Sequence, residues 1–118
     1  MLKVIIAGGR DFNDFELLKA KCDKILSEYA VTDIQIVSGC AKGADLLGED
    51  YAKVRHLSMV RFPADWNKHG KAAGPIRNVQ MAEFADVLIA FHDGNSKGTA
   101  HMIRTAKEKG LIVRVIKY

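Results

Sequence analysis

The 118-residue chain carries only two cysteines, two prolines and one tryptophan, and its longest unbroken apolar run is Val87 to Phe91. That run falls far short of the roughly 20 residues a membrane-crossing helix needs. The N-terminal stretch offers one lysine and then only Val4 to Ala7 before Gly8-Gly9-Arg10-Asp11, so a secretory leader with its core of about 7 to 15 apolar residues is missing. A cytoplasmic protein with no membrane partner is expected. Without an export signal or zinc-ligand spacing, the two cysteines read as free thiols in a reducing compartment. Neither a Walker lysine pattern nor G-x-G-x-x-G occurs, which disfavours a P-loop nucleotidase and a conventional dinucleotide dehydrogenase. No metal site is expected and no cofactor is required. Repeats, low-complexity tracts and linkers are also missing, so residues 1–118 are expected to form one domain.

What the chain does have is apolar material. Hydrophobic residues make up 48% against 27% charged, which suffices for a packed core and excludes a disordered tail. Lys and Arg number 18 against 14 Asp and Glu, an excess that favours anionic ligands without choosing between a nucleotide and a nucleic acid.

Apolar runs of strand length alternate with segments of helical period, which predicts five strands and four helices. The strands are expected near Leu2 to Ala7, Ile34 to Val37, Ser58 to Phe62, Val87 to Phe91 and Ile112 to Ile116, apolar on both faces and therefore buried from both sides. The helices are expected from Asn13 or Asp14 to Tyr29, from Gly43 or Ala44 to Arg55, from Pro75 onward, and from Gly98 to Lys109. Pro75 suits a first helical position and Gly110 a C-terminal stop. On the first helix Cys22 shares a face with Phe15, Leu18, Ile25, Leu26 and Tyr29, which marks it as core. Right-handed crossovers then give a doubly wound α/β layer, a Rossmann-like five-stranded parallel sheet of order 3-2-1-4-5 with helices on both faces. The connection from Pro63 to Gly74 is long for a compact domain and is expected to contribute to function.

Three glycine-rich turns follow strands one, two and four: Gly8-Gly9-Arg10, Ser38 to Asp45, and Asp93 to Thr99. In the predicted order the first and third flank the topological switch point, where open α/β sheets bind ligands, and the second borders it. Glycines there let main chain approach a ligand, and the starts of the second and fourth predicted helices suit a phosphate. The candidate ligand-binding residues are Gly8, Gly9, Arg10, Ser38, Gly39, Lys42, Gly43, Asp45, Trp66, Arg77, Gly94, Ser96, Gly98 and Thr99. Lys97 adds positive charge, Trp66 a stacking surface, and Arg77 a planar fork for phosphate. The alternative is that each glycine only permits a tight turn, that Trp66 plugs the sheet edge and that Arg77 makes a surface salt bridge. For acid–base chemistry the candidate catalytic residues are His92 and Asp93 together with Arg77. Asp93 is equally suited to start the Asp-Gly turn, as Asp45 and Asp11 are to start helices or turns. Cys40, at the mouth of the second helix, reads as a small packing residue rather than an activated thiol.

These turns, with Gly74-Pro75-Ile76-Arg77-Asn78 and the run Met81 to Phe91, resemble the SLOG superfamily, in its branch of small stand-alone domains related to YspA and YpsA. The resemblance runs from Gly8-Gly9-Arg10-Asp11-Phe12 to Gly98-Thr99 and implies binding of a nucleotide or nucleotide derivative, as sensor or effector. It also implies two alternatives within the superfamily: a nucleotide N-glycosidase or phosphoribohydrolase, and a DprA-like binder of single-stranded nucleic acid. Arg77 is similar to the arginine of the phosphoribohydrolases, and Gly94 to Thr99 to their phosphate-gripping turn. Their catalytic glutamate, however, is replaced here by Met102, beside His101. A thioether cannot polarise water or balance an oxocarbenium charge, so only Asp93, His92 or His101 remains to substitute. A homodimer would be unsurprising for the superfamily.

Overall fold

Val- and Ile-rich segments prefer the pleated, half-buried surface of a sheet, and in the computed structural model, which describes residues 1–118, they form it. The elements are β1 (Leu2–Gly8), α1 (Phe15–Ile25), β2 (Ile34–Ser38), α2 (Ala44–Arg55), β3 (Ser58–Arg61), α3 (Trp66–His69), α4 (Ala73–Phe84), β4 (Val87–His92), α5 (Lys97–Glu108) and β5 (Ile112–Lys117), with 3-10 turns at Val31–Asp33 and Gly70–Ala72. Every strand pair is parallel and the order is β3-β2-β1-β4-β5, as the sequence predicts.

Alternation along the central strands divides the core into two layers. Val4, Ile6, Ile36, Ile89 and Phe91 face α1 and α2, whose Leu18, Cys22, Tyr51 and Ala52 close that side. Ile5, Ala7, Val37, Leu88 and Ala90 face α4 and α5 and meet Met81, Ala82, Met102 and Ala106. The chain reverses direction across the sheet at β1, which pairs with β2 on one edge and β4 on the other. The carboxyl ends of β1 and β4 therefore open at the switch point.

Four local expectations are corrected. The strands β3 and β5 are sheet edges, so Ser58, Arg61, Ile112 and Val115 are exposed rather than buried from both sides. The first helix stops at Ile25, not Tyr29: the Leu26 amide still reaches Cys22, Ser27 Oγ donates to the Lys24 carbonyl, and Tyr29 turns outward. The third predicted helix begins at Ala73, two residues before Pro75, because a proline within the first turn removes an N–H that has no intrahelical partner there. Finally, there are five helices rather than four, because the long connection contains the short α3. Asp65 caps α3 by accepting the Lys68 amide at 3.1 Å, and the 3-10 turn leads directly into α4.

Candidate functional site

A cavity of about 580 Å³ opens where β1 and β4 end, a volume suited to a small-molecule ligand. The first turn supplies Gly8, Gly9, Arg10 and Asp11, and the third supplies Asp93, Ser96, Lys97, Gly98 and Thr99. Between them the second turn contributes Ala41 and Asp45. The opposite wall comes from Trp66 and from Gly74, Pro75, Arg77, Asn78 and Met81 of α4, and α5 adds His101 and Met102.

The third turn is built by its own side chains. Asp93 Oδ1 accepts the amides of Asn95 at 2.8 Å and Ser96 at 2.9 Å, and these N–H donors hold its carboxyl below the usual range. Ser96 caps α5 by accepting the Thr99 amide at 3.3 Å, and the two hydroxyls lie 2.9 Å apart. The amides of Lys97 and Gly98, first in the helix, have no acceptor in the protein. They carry the positive end of a 12-residue helix into the cavity.

The start of α2 behaves differently from expectation. Its Ala44 amide donates to Gly9 O at 3.3 Å, locking the second turn against the first. Gly43 is required there: its φ is +82°, and an added Cβ would lie 2.2 Å from Gly9 O. The anion at this helix start is the chain's own Asp45, 5% exposed, whose Oδ2 accepts the Ala41 amide at 3.2 Å. Burial outweighs the amides of Ala41 and Gly8 and the nearby Arg77, pushing the Asp45 carboxyl up to about 6. Thus α2 brings a buried carboxylate to the cavity, whereas the first amides of α5 have no acceptor in the protein.

Arg77 Nη1 donates to the Gly39 carbonyl and Nε donates to Asn78 Oδ1 at 3.1 Å, leaving its other N–H groups unused. Because arginine only donates, Asn78 must turn its oxygen to Arg77 and its amide nitrogen to His101 Nδ1, 3.1 Å away. That ring nitrogen is then an acceptor, and the neutral His101 carries its proton on Nε2. None of Arg10, Arg77 and Lys97 forms an ion pair. The carboxylates of Asp11, Asp45 and Asp93, by contrast, accept from Tyr118 Oη, the Ala41 amide and the Asn95 and Ser96 amides. The cavity lining thus sets three cationic side chains that form no ion pair beside three carboxylates that accept hydrogen bonds from uncharged donors.

Of the sequence candidates, Gly8, Gly9, Arg10, Asp45, Trp66, Arg77, Asp93, Ser96, Gly98 and Thr99 meet at this cavity. Ser38 does not: buried behind it, its Oγ donates to Glu49 at 2.7 Å and accepts the Cys40 amide. Gly39 and Gly43 pack under the turns, Lys42 is exposed beyond the rim, and Gly94 shapes the third turn with φ +91°. His92 turns to a separate groove with Ile103, Arg104 and Val115, where its Nε2 meets the Ser96 carbonyl at 3.2 Å, so it does not face Asp93's cavity. Burial raises the Cys40 thiol, which leaves it unactivated. Sequence reasoning missed the Asn78–His101 pair. The available signals were Gly74, Asn78 and Met81 at helical spacing on one face and His101 one turn beyond Lys97.

A family profile for "YspA, cpYpsA-related SLOG family" matches residues 2–69. The chain belongs to the YspA and cpYpsA-related SLOG family. This SLOG chain is 36% identical over 121 residues to the gene 61 protein of Mycobacterium phage D29, covering 96% of the chain and 94% of the phage protein. It also superposes on the crystal structure of DNA processing protein A (DprA) from Streptococcus pneumoniae with a TM-score of 0.74. That likeness, at 19% identity over 98% of this chain, shows the shared Rossmann-like fold, and the chain spans half of the DprA chain. No helix of this SLOG chain is long and apolar enough to cross a membrane.

Proposed function

We propose that this chain binds a nucleotide or nucleotide-derived small molecule by its phosphate, in the role of a sensor or effector. Membership of the SLOG family supports a nucleotide- or nucleic-acid-related function in general. The observation that carries the finer reading is the pair of unpartnered amides of Lys97 and Gly98, facing a cavity whose Arg10, Arg77 and Lys97 form no ion pair. Trp66, half exposed at the mouth of the same cavity, offers a ring face for a base.

A hydrolytic reading has less support. The side chain at the phosphoribohydrolase glutamate position, Met102, is 1% exposed and packed in the core, and Asp93 serves the third turn, where its Oδ1 accepts two amides. Calorimetry with AMP, GMP, ADP-ribose and NAD against adenosine and guanosine tests the binding reading. Phosphorylated ligands are expected to bind and the nucleosides to bind more weakly by tenfold or more. Equal binding of AMP and adenosine, or no binding by any of them, overturns the reading. Free base released on prolonged incubation would instead favour the hydrolase.

A further inference from the structure

We infer that the floor of the cavity, where Asp45 and Arg77 stand on either side of Gly39, seats the ribose hydroxyls of the ligand, so that the protein selects ribonucleotides over their deoxy counterparts. This rests on the nucleotide reading above.

The argument starts from Gly39. An added Cβ there would lie 2.7 Å from Asp45 Oδ2 and 2.9 Å from Arg77 Nη1, so the missing side chain is what lets a carboxylate and a guanidinium stand side by side. Arg77 lies near enough to draw the Asp45 carboxyl down, but the two form no direct ion pair, so neither uses its hydrogen-bonding groups on the other. Arg77 instead spends donors on the Gly39 carbonyl and Asn78. Asp45 is 5% exposed and its carboxylate accepts the Ala41 amide through Oδ2 with the Gly8 amide also close by; the four lone-pair sites of a carboxylate leave it acceptor capacity toward the cavity it lines.

A ligand group placed here must satisfy an acceptor and a donor together. Asp45 repels a phosphate and Arg77 an ammonium, and water screens the buried Asp45 only weakly. A hydroxyl donates to one and accepts from the other, and the vicinal pair of a ribose does so twice. The free amides of Lys97 and Gly98 take the phosphate on the α5 side, which leaves the pentose to face the α2 side, where Asp45 sits.

The test is calorimetry with AMP, 2′-deoxy-AMP, 2′,3′-dideoxy-AMP and adenosine, repeated with the guanine series. Wild-type protein is expected to bind AMP or GMP at least about tenfold more tightly than the dideoxy form, the loss expected for a hydrogen bond to a charged group. Asp45→Asn and Asp45→Ala are expected to shrink that ratio to about threefold or less while keeping the preference for AMP over adenosine. Equal binding of AMP and dideoxy-AMP by the wild type overturns the ribose assignment and leaves phosphate recognition standing. So does an undiminished ratio in both variants. Absence of any phosphate-dependent binding overturns both.

Discussion

Replacing Asp45 with asparagine is expected to stabilise the fold at neutral pH, although it alters a buried, hydrogen-bonded side chain. Its carboxyl moves from 3.8 to about 6 on folding, and two pH units correspond to about 3 kcal/mol against the charged form. The direction follows from proton counting. Between pH 3.8 and about 6 the folded state holds more protons than the unfolded one at this site, so stability falls as pH rises through that window and stays low above it. Asparagine keeps an oxygen for the Ala41 amide, and a weaker bond there offsets about 1 kcal/mol of the gain. A net gain of about 1 to 2 kcal/mol at pH 7.5 is expected, a rise in Tm of about 5 °C for a chain of this size. At pH 4 the gain should shrink to a fraction of that. Urea melts of both proteins at the two pH values supply the comparison, and the difference between them isolates this one group. Destabilisation at pH 7.5, or a difference that does not change with pH, would refute the assignment of a penalised carboxylate. A stability gain accompanied by lost ribose preference is the behaviour of a group kept for its ligand.

Gly39→Ala should cost about 1 to 3 kcal/mol, because the new methyl displaces Asp45 and Arg77. Gly98→Ala meets nothing within 4 Å and should leave chemical denaturation unchanged or slightly improved. Trp66→Ala is expected to weaken AMP binding by about 1 to 3 kcal/mol, the range for a base on an aromatic face. Quenching of the single tryptophan's fluorescence should report the same event in the wild type. For the Arg77–Asn78–His101 chain, nitrogen-15 NMR of the neutral imidazole should show His101 protonated on Nε2. In Asn78→Ala a mixture of tautomers is expected, and a wild-type ring protonated on Nδ1 would contradict the hydrogen-bond reading.

Much of this fold was legible because its signals are periodic. Strand-length Val and Ile runs, turn glycines and Gly110 reported backbone needs that no tertiary contact overrides. The order of the sheet then followed from chain reversal at β1. What the pattern could not show was position within the sheet: Ile112 and Val115 have strand propensity like Ile89, yet β5 lies at an edge and exposes them. The short α3 helix escaped because one capped turn has too few residues to display a period, although Asp65 three residues before Lys68 is a cap signal. At the site, glycine spacing indicated where main chain comes close but not what approaches it. Gly98 faces open space, whereas Gly43 faces Gly9 and Gly39 faces two side chains. His92 and Asp93 are neighbours in sequence, but β4 ends at His92 and Asp93 begins the turn, so only Asp93 reaches the cavity.

Amide NMR during titration with AMP tests the central claim most directly. The account predicts that the largest shifts fall on Gly9, Arg10, Lys97 and Gly98, with Lys97 and Gly98 moving downfield as they gain an acceptor. Silent resonances throughout, or shifts gathered around Ile103, Arg104 and Val115 on the other side of α5, would contradict it.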